Sequence, residues 1–192
     1  LTGPVNYSSK IRSYGQSVPE FRLDGFFRGP SVATGIFQDR RGRVRNRFVM
    51  HLLGDWEGER GSLSERFLFL DDRGQATTAE RLWQLRLEDD DHFIGTARGS
   101  AGDIVGEATG ERLGYAMHWR YRVRQPVGDK FYTLSADDWM YLIDTDHVIN
   151  RTRMFFLGFF IGEVSIEIHR LADTPDNRAA MERCPAPGEP IR

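Results

Sequence analysis

The stretch Leu113-Gly114-Tyr115-Ala116-Met117-His118-Trp119-Arg120-Tyr121-Arg122-Val123-Arg124 decides the fold. Tyr115, Met117, Trp119, Tyr121 and Val123 occupy one parity, and His118, Arg120, Arg122 and Arg124 the other. Successive side chains of an extended chain point to opposite faces, so this is a strand with one packed face and one wet face. The same rhythm runs through Val44, Asn46, Phe48, Met50 and Leu52, through Trp83, Leu85 and Leu87, and through Val164, Ile166 and Ile168 against Glu167 and His169. Helical spacing accounts for none of these well.

Working outward, turn chemistry punctuates the runs at short intervals: Asp39-Arg40-Arg41-Gly42, Glu57-Gly58-Glu59-Arg60-Gly61, Asp71-Asp72-Arg73-Gly74, Glu88 to His92, Gly99 to Gly102, Pro126 to Asp129 and Asp144 to His147. Strands joined this way pair as antiparallel hairpins. Roughly eight to ten of them without intervening helices would leave long open edges, and closure removes those edges. The expected fold is therefore all-β, an antiparallel up-and-down barrel, and a barrel of about eight strands has room for one small ligand.

The pattern divides the chain into residues 1–20, a polar leader rich in Gly, Ser and Pro; residues 21–171, the barrel; and residues 172–192, a tail bearing four prolines. The leader and tail read as segments with little core of their own, packing beginning near Phe21, with a short helix feasible around Asn177 to Arg183. At 192 residues one domain with a sizeable core is the default. A net charge of −2 supplies no global field for nucleic acid or an anionic bilayer. Twenty-four of the 26 basic residues are arginine, but they are spread along the chain, which fits compositional bias better than a recognition surface. The lone Cys184 excludes an intramolecular disulfide, and no apolar run approaches the roughly 20 residues of a membrane-spanning helix.

Motifs for chemistry are scarce. The five histidines lack the close spacing of a metal motif, Asp144-Thr145-Asp146 lacks the glycine and glutamate of a calcium loop, and the glycines fit turns and bulges rather than a phosphate or dinucleotide loop. No metal or cofactor is expected on these grounds. By alternation, His118 and His169 belong to solvent-facing sets.

Two segments stand out. Asp137 to Leu142 and Ile149 to Met154 read as a hairpin that brings Asp138, Trp139, Tyr141 and Arg151 together. An arginine paired to a carboxylate beside aromatic rings is a handle for an anionic ligand head at the pocket mouth, or simply an ion pair closing the barrel end. The second segment, Met154 to Gly162, is apolar on both faces through Phe155, Phe156, Phe159 and Phe160. It reads either as a strand covered on both sides by leader or tail, or as an outward patch for lipid or a partner subunit. The arginine-bearing faces of neighbouring strands argue against a transmembrane barrel.

Six stretches carry a family resemblance: Gly35 to Arg40 with Gly42, Gly54 to Gly58, Gly102 to Gly110, Asp138 to Leu142, Ile149 to Arg151, and Gly162 to Val164. Taken in order, they resemble a family of uncharacterised bacterial lipoproteins, a domain of unknown function with a lipocalin-like (calycin) barrel. The resemblance implies export to the bacterial cell envelope, periplasmic and anchored to a membrane through a lipid-modified N-terminal cysteine. That cysteine is absent here: either the chain begins after it, with residues 1–20 as a tether, or the anchoring is different. The resemblance supplies no catalytic residues.

The expectation is a binding barrel for a hydrophobic or amphipathic small molecule such as a fatty acid or lipid. Trp56, Trp83, Trp119, Trp139 and Tyr141 are the candidate pocket residues, with Asp138 and Arg151 as the polar handle. Two alternatives stay open. One is an enzyme acting on a lipid-like substrate through Asp138, Glu163 or His118; the other is a filled barrel docking a partner through residues 154–162, peripherally at a membrane or as a homo-oligomer.

Overall fold

The computed structural model describes residues 8–189; the first seven residues of the leader and the last three of the tail, with Pro190, lie outside them. Eleven strands follow two short helices, α1 (Ser8–Ile11) and α2 (Leu23–Phe26): β1 (Gly29–Asp39), β2 (Val44–Glu57), β3 (Arg60–Leu70), β4 (Ala76–Leu87), β5 (His92–Arg98), β6 (Asp103–Ile104), β7 (Ala108–Leu113), β8 (Ala116–Val127), β9 (Lys130–Asp144), β10 (His147–Phe156) and β11 (Phe159–Arg170). A third helix, α3 (Pro175–Met181), ends the fold.

Ten strands form a closed antiparallel ring in chain order, with β11 returning to β1 and β8 pairing both β7 and β9; β6 is a two-residue strip beside the outer half of β8. The expected barrel is thus present, at the upper end of the expected strand number. Closure removes the edges along the ring except beside the first half of β4, residues 76–81, whose ladder runs to β3 alone.

The up-and-down order sorts the turns to two ends. The β1–β2, β3–β4, β8–β9 and β10–β11 turns and the excursion through β6 crowd one end, and the β2–β3, β4–β5, β7–β8 and β9–β10 turns the other. The second end is stoppered. Phe21, Leu23, Phe26 and Phe27 are all buried there, with Phe26 edge-on to Phe21 and Phe27 at 5.5 and 5.0 Å. Trp56 Nε1 donates to the Phe27 carbonyl at 3.1 Å. Gly54 permits that approach, since a β-carbon there would lie 1.8 Å from the same oxygen.

The leader and tail pack more closely than their composition suggested. Packing starts ten residues before Phe21, with Ile11 buried. Tyr14 lies on the outer barrel wall against Tyr115, Trp139 and Tyr141, at 5.3, 6.4 and 6.0 Å between rings. In the tail, Thr174 caps α3 and Pro175 begins it. At its other end two barrel side chains serve carbonyls that the helix leaves unpaired: Arg66 donates to Met181 O at 2.9 Å, and His51 Nδ1 lies 2.8 Å from Arg183 O. Buried Ile11 and the Tyr14 ring contacts hold the leader, and capping and tertiary hydrogen bonds with buried Met181 hold the tail.

Candidate functional site

Inside the barrel is a cavity of about 590 Å³, within the usual size range of small-molecule sites. It runs from the Phe27 plug to the opposite end, where Val127, Pro126 and Ile161 line its rim. The wall is mostly apolar above and below one polar belt, with Asn46 and Gln125 the polar exceptions toward the mouth. Toward the plug stand Leu52, Leu63, Leu85 and Ile168, and toward the open mouth Phe37, Phe69, Leu134, Met154 and Val164.

The belt is made of residues near the middle of their strands. Glu65 and Arg81 are register partners across β3 and β4, joined by a 2.8 Å bond from Arg81 Nε to Glu65 Oε2 with both side chains largely buried. Burial pulls the Arg81 pKa down, but the Glu65 carboxylate, helped by Tyr121 and Asp138, holds it above its ordinary value. The guanidinium also lies 5.4 Å from the Trp83 ring and 5.7 Å from Phe67. On the facing wall, Asp138 accepts from Tyr121 Oη at 3.1 Å and from Asn150 Nδ2, with Thr152 beside it. Burial raises the Asp138 pKa to about 6 in spite of those donors. Burial and the Asp138 charge likewise push Tyr121 well up, so the phenol remains a donor.

The sequence candidates divide between the two sides of the wall. Trp83, Trp119 and Asp138 line the cavity, with the two indoles 5.6 Å apart and Phe93 edge-on to Trp119 at 4.4 Å. Trp56 is structural, tied to the plug and bordering a separate surface groove of about 680 Å³ that also holds the Arg178–Asp55 ion pair. Trp139 and Tyr141 point outward, because residues adjacent to the inward Asp138 and Met140 must take the opposite face.

Arg151 is also outside. It forms a three-contact ion pair with Glu163 at 2.8 to 3.1 Å, which corrects the expected Asp138–Arg151 handle and removes Glu163 from the interior acid/base candidates. His118 is on the outer face as alternation requires, but it is fully buried rather than solvent-facing. It lies between Asp137 at 2.6 Å and Glu111 at 3.4 Å and stacks on Trp139 at 4.1 Å.

Glu65, Arg81, Tyr121 and Asn150 carry the site's polarity and were not among the candidates. Their signal was present: Arg81 shares parity with Trp83 and Leu85, and Glu65 shares parity with Leu63 and Phe67. A charged residue on the apolar parity of a strand is the mark of an interior polar site.

The patch residues Phe155, Phe156 and Phe160 are half-buried and Phe159 is exposed, at the barrel mouth and away from the described residues of leader and tail. On the outer wall near the plugged end, His147 and His169 meet as register partners, and both Nε2 atoms lie within 3.1 Å of one Glu167 oxygen. Three ligand atoms within 4.8 Å of one another could hold a metal ion, and the same contacts serve as ion pairs when the imidazoles are protonated.

A solved structure of the S-type phycobiliprotein lyase CPES from Guillardia theta is similar to this barrel with a TM-score of 0.57, covering 85% of this chain and 98% of the lyase at 6% identity. At that identity the likeness concerns the lipocalin-like fold alone. No curated protein matches the sequence. Residues 5–170 match the model of a protein family of unknown function, DUF3833, and the chain belongs to that family.

Proposed function

We propose that the protein holds an amphipathic, lipid-like molecule inside the barrel, its polar head at the belt and its tail toward the mouth. The observation that carries this reading is a cavity whose outer half is mostly apolar and whose middle presents a belt of buried hydrogen-bonding groups. A mostly apolar lining supplies affinity, and a few fixed polar groups orient the ligand.

The charges of the belt narrow the head group. Glu65 and Arg81 neutralise one another, which leaves Asp138 as the uncompensated carboxylate. A ligand carboxylate placed beside it would meet a like charge at low dielectric. A neutral head with donor groups, such as a hydroxyl or amide, instead donates to Asp138 beside the Tyr121 and Asn150 bonds it already accepts. A free fatty acid binds well only once pH falls toward the Asp138 pKa of about 6. Membership of the bacterial cell envelope is part of the same proposal, since such ligands are found there.

The test is titration of Trp83 and Trp119 fluorescence with a monoacylglycerol and with the fatty acid of the same chain length, at pH 5 and pH 8. The reading requires saturable quenching by the monoacylglycerol at both pH values, and by the fatty acid chiefly at pH 5. Absence of saturable quenching by either would refute it.

A further inference from the structure

We infer that the barrel mouth docks on an anionic lipid surface through an apolar rim set in basic residues. The described residues include a small group of large hydrophobics that remain exposed, and Val44, Val127, Phe131, Leu157 and Phe159 among them all lie at the mouth, Leu157 and Phe159 being 79% and 77% exposed. They sit on three hairpins that follow one another round the ring, β8–β9, β10–β11 and β1–β2. Tyr132 and Phe156, 5.6 Å apart, join the first two into one surface. A continuous exposed apolar surface of this kind marks an interaction site.

Leu157 sharpens the argument. It opens the two-residue β10–β11 turn with φ +50, followed by Gly158 at +83, and among the described residues it is the non-glycine with positive φ. Asn, Asp or Gly normally occupy that position, since a side chain there crowds the backbone. A leucine therefore carries a conformational cost and, at 79% exposure, a solvation cost. The solvation cost is recovered when the side chain enters an apolar medium.

Charge identifies that medium. Arg124 lies over Phe131 at 4.3 Å, and Arg153 over Phe155 and Phe160 at 5.3 and 5.1 Å, so cations flank the apolar tips. Arg40, Arg41 and Arg43 stand in the β1–β2 turn and Lys130 starts β9, against Asp39 and Asp129 on the same hairpins; the β3–β4 turn at this end carries Asp71 and Asp72 against Arg73. At the plugged end the β2–β3, β4–β5 and β9–β10 turns carry Glu57, Glu59, Glu88, Asp89, Asp90, Asp91, Asp144 and Asp146 against Arg60, with Arg22 and Arg28 flanking α2. The three rim hairpins are thus net basic within a chain of net charge −2, and the rim is the part of the barrel suited to a negative surface. A second copy seated on the same rim would oppose cation to cation. The β10–β11 hairpin also sends Met154 and Ile161 into the cavity, giving a continuous apolar route from the docked surface to the interior.

The test is flotation of the full chain with vesicles of phosphatidylcholine alone and of phosphatidylcholine containing phosphatidylglycerol, independent of whether the cavity is loaded. The chain should partition onto the anionic vesicles and weaken with added salt. Leu157→Asn with Phe159→Ser should reduce partitioning about tenfold per residue, and Arg41→Glu with Arg153→Glu by about fivefold or more per site. All four positions are on the surface, so circular dichroism should stay native. Equal partitioning of the wild type and the apolar variant would overturn the inference, as would failure to bind anionic vesicles together with a concentration-dependent mass that the apolar variant abolishes, which would assign the rim to a second copy.

Discussion

Replacing Asp138 by asparagine isolates the electrostatic character of the cavity. The carboxyl is buried at 5% exposure, and its pKa is raised from an ordinary 3.8 to about 6, chiefly by burial. Because the folded state holds the proton more tightly than the unfolded chain, the stability gained by protonation is complete below about pH 3.8 and is lost as pH rises through about 6. Over the whole span this is worth about 3 kcal/mol, of which about 2 kcal/mol falls between pH 4.5 and pH 7.5. Asparagine does not titrate. It keeps one acceptor for Tyr121 or Asn150 and loses the other, a penalty that shifts stability equally at every pH in the window. The difference in unfolding free energy between wild type and Asp138→Asn, measured by urea denaturation at a series of pH values, should therefore move by about 2 kcal/mol in the variant's favour from pH 4.5 to pH 7.5. A difference that stays constant across that range would show Asp138 to be solvated, and the polar belt would lose its claim to select a neutral head.

Three further outcomes follow from the same geometry. Arg81→Leu strands a buried Glu65 and should cost about 3 kcal/mol or more by urea midpoint, whereas Arg81→Leu with Glu65→Leu should come back close to wild type. Gly54→Ala drives a β-carbon into the Phe27 carbonyl and should lower the thermal midpoint, at a cost of about 2 kcal/mol, by displacing the plug. Leu157→Asn relieves the left-handed leucine and should raise stability by about 1 kcal/mol in the absence of vesicles, so one substitution would strengthen the fold and weaken docking.

Alternation made the barrel legible because every long strand has one face against the cavity. The runs around Trp119, Phe48, Trp83 and Ile166 all place their apolar parity inward. The hairpin at Asp138 and Arg151 brings these residues near one another along and across strands, but parity puts the Trp139, Tyr141 and Arg151 side chains on the face opposite Asp138. Period two places a residue on a face but does not reveal what covers that face. His118 therefore reads as wet, although Trp139 stacks on it and Tyr14 of the leader packs in turn on Trp139. The cross-strand meetings of Glu65 with Arg81 and of His147 with His169 depend on register, which sequence spacing does not contain. The apolar run at 154–162 was visible, but only the ring order joins it to Val127 and Phe131 as a single rim.

The most direct test of the central claim is native mass spectrometry of the intact chain after incubation with a bacterial lipid extract, followed by organic extraction of whatever dissociates. The structure predicts one amphipathic molecule per chain, with an apolar tail and a head free of net negative charge. A mass unchanged by the extract, in a chain shown by circular dichroism to be folded, would contradict the account and leave the cavity without a ligand to explain it.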